Sequence, residues 1–127
     1  MQIEIFTICD NAQSYQGKTV IVGTFNKISS SNFPTRYPNL SIVGRIAYEE
    51  SGMHKYTLKF ISPSGENVVE PLEWTMDVKA DHEVGYANFI MGMNDITFNE
   101  PGVYKIELHT QEEIRVFKLT LIKNSNN

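Results

Sequence analysis

The chain has 127 residues, which is the length of one ordinary domain with its own hydrophobic core. Its 41% hydrophobic and 20% charged residues are typical of a folded globular protein and argue against a disordered chain. The net charge of −4 is spread without a basic block, so we expect no binding to nucleic acid. A single cysteine excludes an internal disulfide and a multi-cysteine zinc site.

The N-terminal residues 1–6 have no basic flank and carry an acid within their apolar run. They are typical of a β-strand and not of a signal peptide. No stretch approaches the roughly 20 apolar residues of a transmembrane helix. We therefore expect a cytoplasmic protein that makes no contact with a membrane.

The first half of the chain predicts four strands. The first spans residues 3–9 and the second residues 18–25, and the polar residues 10–17 between them predict a turn that ends in glycine. Residues 29–39 predict a long loop, because two prolines and a serine run argue against a regular strand. Residues 40–49 and 54–61 then form a predicted hairpin across a short link.

The clearest alternation lies in the fourth predicted strand. Apolar side chains at Tyr56, Leu58 and Phe60 alternate there with the polar Lys55, Thr57 and Lys59. A period of two places the two sets on opposite faces of a sheet. This pattern predicts an antiparallel strand with one face in the core and one in water.

The second half of the chain predicts further strands. They span residues 68–79, 86–93, 96–98, 103–109 and 114–122. Pro71 indicates that the first of them begins at an edge or a bend. Residues 124–127 form a polar tail that we expect to fray.

Turn signals at intervals of roughly 8 to 12 residues, without a helical period, predict an all-β fold. We expect one domain over residues 1–123, an antiparallel β-sandwich of eight or nine strands with an Ig-like or jelly-roll-like topology. The predicted core consists of Phe6, Phe25, Tyr56, Leu58, Phe60, Leu72, Trp74, Met76, Phe89, Tyr104, Ile106, Phe117 and Leu119.

The histidines predict no metal site. His54, His82 and His109 lie in different segments, and none has a partner at the spacing that builds a zinc site from one strand or helix. In strand phase His54 shares the face of Tyr56, whereas His109 lies on the outward face with Glu107. We expect these histidines at the surface or at strand ends, and we expect no cofactor.

Cys9 is the only candidate thiol nucleophile. A cysteine on a strand is usually a small buried hydrophobe, and the adjacent Asp10 carboxylate raises its pKa. No base or oxyanion element accompanies it. We therefore predict no catalytic residue and no enzyme activity.

Two surfaces are candidates for binding. The predicted loop presents Phe33, Arg36 and Tyr37, residue types that are enriched at protein interfaces; the alternative is that its aromatic side chains pack under the end of the sandwich. The side chains of Trp74, Met76, Met91 and Met93 could form a ligand-binding stripe. Their alternation with Leu72, Val78 and Phe89 instead favours the core.

Three short motifs resemble a known family. They are Ile8-Cys9-Asp10-Asn11-Ala12-Gln13, then Gly17-Lys18, then Ile21-Val22-Gly23-Thr24-Phe25. The combination is similar to a family of small bacterial proteins known only as a domain of unknown function. The resemblance covers mainly the first half of the chain, implies an all-β sandwich, and transfers no activity or site.

These features predict a non-catalytic β-sandwich that acts through protein contacts or self-association, since a sandwich has edge strands that a partner can cover. A carbohydrate-type ligand module is the alternative. A second alternative is an enzyme whose loops assemble Asp10, His54 or His82, and Glu83 in one pocket.

Overall fold

The computed structural model describes residues 1–125. Within them, nine strands form two packed sheets. The strands are β1 (Gln2–Tyr15), β2 (Lys18–Thr24), β3 (Lys27–Ser30), β4 (Thr35–Tyr48), β5 (Gly52–Ile61), β6 (Leu72–Val78), β7 (Gly85–Phe98), β8 (Gly102–His109) and β9 (Ile114–Lys123). None of the described residues forms a helix long and apolar enough to cross a membrane.

Sheet A has four strands in the order β2-β1-β4-β7, all antiparallel. Sheet B has five strands in the order β3-β9-β8-β5-β6 and is antiparallel except for the parallel pair β3–β9. The inner faces of the two sheets pack on each other and supply the core. The predicted all-β sandwich is therefore confirmed, with nine strands.

The predicted alternation in β5 is also confirmed. Tyr56, Leu58 and Phe60 are buried, whereas the intervening side chains are not. Phe60 packs against Phe98 of sheet A and against Tyr104 of β8, with ring centroids 6.0 and 6.3 Å apart. The inward face of β5 thus packs against sheet A as well as against its neighbour in sheet B.

β4 is buried on both faces because it lies between the long neighbours β1 and β7. Leu40, Ile42, Ile46 and Tyr48 face the core. On the outer face Val43 is also fully buried, since Thr7 of β1 and Ile90 of β7 lie directly beside it. Residues 40–48 of β4 are therefore buried on both faces, except for the half-buried Arg45.

The predicted loop over residues 29–39 is partly wrong. β3 ends at Ser30, and β4 already begins at Thr35. Pro38 lies inside β4 opposite Asp95, at the one position of the β4–β7 register that is not paired. Because β1 does not reach this part of β4, the missing N–H of Pro38 removes no ladder hydrogen bond.

The predicted hairpin of residues 40–49 and 54–61 is wrong, because β4 pairs within sheet A and β5 within sheet B. Other boundaries also differ from the prediction. β1 continues to Tyr15 through most of the predicted turn, and the two predicted strands at residues 86–93 and 96–98 are the single strand β7. Leu72 is 41% exposed and does not belong to the core. In the predicted tail, the Asn124 N–H donates to the Ser30 carbonyl at 2.9 Å, and residues 126–127 lie outside the described residues.

Candidate functional site

The β1–β2 hairpin continues beyond the end of its pairing with the rest of sheet A. β1 pairs with β4 from Gln2 to Cys9, and it pairs with β2 from Cys9 to Tyr15. Among the described residues, the second half of β1 therefore pairs with β2 alone. We call residues 11–22 the hairpin arm.

A two-residue turn closes the arm. Gln16 and Gly17 both adopt left-handed conformations, with φ of 50° and 75°. Left-handed conformations at both central residues define the type I′ turn, whose twist matches that of the two flanking strands. Tyr15 and Lys18 form the last pair of the ladder before this turn, so the turn fixes the register of the whole arm.

Gly23 interrupts the β1–β2 ladder at the base of the arm. Gly23 has a φ of 72°, and the β1–β2 register skips its pairing with Asp10. A Cβ atom at position 23 would lie 2.7 Å from the Asp10 Oδ2 atom. The left-handed backbone favours glycine, which explains the glycine of the apolar motif in the sequence.

The arm carries apolar side chains that the core does not use. Val20, Ile21 and Val22 follow one another on β2, and none of them belongs to or packs against the described core cluster. Val22 is 53% exposed and Tyr15 is 60% exposed. Since a two-stranded ribbon is only marginally stable in water, apolar area at this place is suited to burial by another molecule.

An open cleft of about 350 Å³ lies at the base of the arm. Its wall includes Asp10, Phe25, Lys27 and Tyr37. The Tyr37 hydroxyl donates to the Asp10 Oδ1 atom at 3.3 Å, and the rings of Phe25 and Tyr37 lie 5.7 Å apart. Burial and the neighbouring Asp10 carboxylate both raise the pKa of Tyr37, so its hydroxyl is a hydrogen-bond donor at neutral pH.

The structure does not gather the three predicted binding residues into one cluster. Tyr37 lines the cleft, while Arg36 follows the opposite side of β4 and pairs with Asp95 at 3.0 Å. Phe33 is half-buried and packs against the core, which matches the packing alternative for this aromatic side chain. Of the three residues, Tyr37 alone lies in the cleft.

The histidines lie where strand phase predicts. The His54 ring stacks on Tyr48, with centroids 3.7 Å apart, and His109 bonds to Glu107 at 2.8 Å on the outer face of sheet B. His82 is exposed in the connection before β7. Within residues 1–125, no group of three or more His, Cys, Asp or Glu side chains could hold a metal ion.

Two residues of the enzymatic alternative, Asp10 and His54, line different clefts. Asp10 lies on β1 beside the edge strand β2 of sheet A. His54 lies on β5 of sheet B, beside the edge strand β6 at the other side of the sandwich. The clefts that these two residues line have no residue in common.

Cys9 is a structural residue at the point where the arm leaves the sheet. Its side chain is fully buried, and its thiol donates to the Ser41 carbonyl at 3.8 Å. Burial raises the pKa of the Cys9 thiol most, and the Asp10 charge raises it further. The thiol is therefore protonated at neutral pH and is a poor nucleophile.

The only tryptophan faces the core as predicted. Trp74 of β6 packs on Tyr56 in the same sheet and on Phe89 in sheet A, with ring centroids 5.3 and 5.2 Å away. Met76 and Met91 also pack against the core. The stripe of tryptophan and methionines is thus part of the contact between the sheets.

The sequence did not indicate the arm, because residues 11–14 are polar and lack an apolar alternation. The available signal was the pair Gln16-Gly17 directly before an apolar strand, which is compatible with a two-residue hairpin turn. A turn of two residues requires a strand on each side, so the polar segment had to be the partner of β2.

These features define an all-β sandwich with a hairpin arm that extends beyond its core. The chain belongs to a family of unknown function (DUF6941), whose family model matches residues 4–120. The match includes the whole arm and strands of both sheets. A search of curated proteins finds no match.

Proposed function

We propose that this protein is a non-catalytic, cytoplasmic β-sandwich module that binds other proteins through its hairpin arm. The observation that supports this proposal is the apolar run Val20-Ile21-Val22, which packs against no part of the described core. Full burial of one valine or isoleucine side chain contributes about 1.5 to 3 kcal/mol. Val22 is 53% exposed and Val20 and Ile21 are half-buried, so a partner can bury further apolar area on this ribbon.

The charge and the free edge of the arm indicate the kind of contact. Between positions 11 and 22, Lys18 alone has a side chain that is charged at neutral pH. β2 is an edge strand of sheet A, so its outer backbone groups are available to a partner strand. An extended apolar segment of a partner can therefore pair with β2 and cover the valines.

The proposed contact surface continues from the arm into the cleft. Tyr37 provides an aromatic ring and a hydroxyl there, and Arg36 provides an exposed guanidinium, paired with Asp95, on the opposite face of β4. Phe33 contributes by packing the preceding segment against the core. The small-ligand alternative relied on Trp74 at the surface, and its packing between the sheets removes the observation that favoured it.

Site-specific photo-crosslinking in the native host tests this proposal. A photoreactive residue in place of Val22 should give discrete crosslinked products, and the same residue in place of the exposed Thr75 on β6 should give none of them. Substitution of Val20 by Ser should abolish the products. The proposal fails if both positions give the same products, or if position 22 gives none.

Measurement of the unfolding free energy shows whether a variant loses crosslinks because it no longer binds or because it no longer folds. Because the arm valines lie outside the described core, Val20→Ser and Val22→Ser should change it by less than about 0.5 kcal/mol. A loss of several kcal/mol would mean that the arm is needed for the fold, and the proposal would then lose its support.

A further inference from the structure

β7 is the longest edge strand of the sandwich. It has 14 residues, whereas the other edge strands β2, β3 and β6 have 7, 4 and 7 residues. Among the described residues, β7 pairs with β4 on one side and with no strand on the other. A long edge of this kind presents a row of free backbone donors and acceptors, which favours pairing with another chain.

The other edges carry features that oppose such pairing. β6 follows Pro71 and bears Glu73 and Asp77, while β2 is interrupted by the left-handed Gly23. β7 has neither a charge nor a proline over residues 85–94. The first irregularity comes at Asp95, which has a φ of 53°. A regular and uncharged edge thus extends over ten residues.

The outer face of sheet A next to β7 is also suited to lie beside the same face of a second sheet. In one row across sheet A, Thr7, Val43 and Ile90 lie side by side. In a neighbouring row the Arg45 guanidinium lies 3.7 Å from the Tyr86 ring centre and bonds to Glu4 at 2.9 Å. The charges near the edge are therefore neutralised within the chain, and the surface at Ile90 is apolar.

We propose that β7 pairs antiparallel with β7 of a second copy about a two-fold axis at Ile90. Paired residues must lie on the same face of the joined sheet, and this register places Ile90 opposite itself and Tyr86 opposite Asn94. The two strands then overlap within their regular segments. Since residues 85–94 carry no charged side chain, no like charges meet, and a strand pairs with itself without repulsion.

The second copy is the occupant that this edge fits best, because a two-fold contact requires a self-complementary surface. The pairing joins both copies of sheet A into one sheet of eight strands. It leaves each hairpin arm at the far edge of that sheet, since β2 and β7 are the opposite edges of sheet A. The inference rests on the proposed role in protein contacts but uses a different surface.

A cysteine at the axis tests the register directly. In a Cys9→Ala background, Ile90→Cys places two thiols opposite each other in the dimer, and mild oxidation should produce a covalent dimer in high yield. Thr75→Cys, in the middle of the edge strand β6, is the matched control and should remain monomeric under oxidation. Equal crosslinking of both variants would overturn the proposal.

Light scattering coupled to gel filtration tests the assembly itself. The unmodified protein should have the mass of two chains. Ile90→Lys should raise the dissociation constant at least tenfold, because two lysines would face each other at the axis, and Thr75→Lys should leave it unchanged. A monomer at every concentration, or a dimer that Ile90→Lys does not weaken, would overturn the proposal.

Variants of the arm and of β7 distinguish a failure of this inference from a failure of the proposed function. Val22→Ser should leave the mass of the dimer unchanged, while Ile90→Lys should leave the products of arm crosslinking unchanged. Failure of the β7 contact alone therefore appears as a monomer whose arm still crosslinks. Failure of the proposed function alone appears as a dimer without arm products.

Discussion

At the scale of single residues, a buried hydrogen bond joins the hydroxyls of two tyrosines in the core. The Tyr48 and Tyr56 hydroxyls lie 2.5 Å apart, and both side chains are buried. Tyr48 belongs to sheet A and Tyr56 to sheet B. Each hydroxyl satisfies the other, so the pair fixes one sheet on the other without a cost from an unpaired polar group.

Removal of both of these hydroxyls should cost less than the sum of the two single removals. Tyr48→Phe or Tyr56→Phe leaves a buried hydroxyl without its partner and should lower the unfolding free energy by about 1 to 3 kcal/mol. The double variant should lose less than the sum of the two single losses. Urea denaturation measures this cycle, with the exposed Tyr15→Phe as control, and strictly additive losses would contradict the coupling.

Cys9 should react only when the protein opens. Its thiol is buried and its pKa is raised, so alkylation at neutral pH should follow the rate of local opening and should be fast only in denaturant. An exposed cysteine introduced at Thr75 is the control and should react at the rate of a free thiol. Equal rates for the two thiols in the native protein would contradict this assignment.

At the scale of elements, a glycine in β4 determines how closely β7 packs beside it. Gly44 pairs with Phe89, and a Cβ atom at position 44 would overlap the Phe89 ring. The ring therefore lies across the backbone of β4 and reaches Trp74 of the opposite sheet. The sequence pattern predicted Phe89 in the core but gave no reason for the glycine at position 44.

Gly44→Ala should destabilise the fold by overpacking, with a cost of about 1 to 3 kcal/mol. Gly92→Ala is the matched control on the outer face of β7, where an added methyl meets no atom within 4 Å. Chemical denaturation should show little change for that variant. Phe89→Leu should recover part of the loss in the Gly44→Ala background, and a failure to do so would place the strain elsewhere.

The alternation of residues predicted elements well where one face is buried and one is wet. β5 and β8 match it closely, because Tyr56, Leu58 and Phe60 on β5 and Tyr104, Ile106 and Leu108 on β8 are buried. β9 matches less well, because its outward residues Ile114, Val116 and Ile122 are apolar. The arm did not match, because its first strand is polar on both faces and pairs through its backbone. β7 was divided at Asp95, because a left-handed residue shifts the alternation without ending the strand.

At the scale of the whole molecule, buried tyrosines and a buried cysteine make the stability of the fold depend on pH above neutrality. Burial raises the pKa of Tyr48, Tyr56, Tyr104 and Cys9 in the folded state. In the unfolded chain these groups ionise at their ordinary pKa values, so the unfolded state loses protons first as the pH rises. Stability is therefore complete below these ordinary values and falls above them.

We expect the melting temperature to fall as the pH rises from about 9 to about 11, since each group with a raised pKa contributes up to about 1.4 kcal/mol per pH unit. Thermal melts across this range measure the effect. The double variant Tyr48→Phe/Tyr56→Phe should show a shallower decline, because it removes two of the groups. An equal decline in both proteins would assign the dependence to other groups.

The two edges of sheet A have different proposed roles. The edge at β2 carries the arm with the exposed Val22, and the edge at β7 carries the regular, uncharged backbone row. A protein that pairs with itself at one edge can present two arms at the other. This arrangement would give a binding module two equivalent contact sites, which raises its apparent affinity for a partner with repeated sites.

The sequence by itself determined the all-β class, the face of most strands that enters the core, and the burial of Cys9 and Trp74. Side-chain alternation is a local property, so a single strand reveals it. Only the tertiary structure decided the strand order, the arm and the free edge at β7. Backbone hydrogen bonds are the same for every strand, so packing of the whole chain selects which strands pair and which edges remain uncovered.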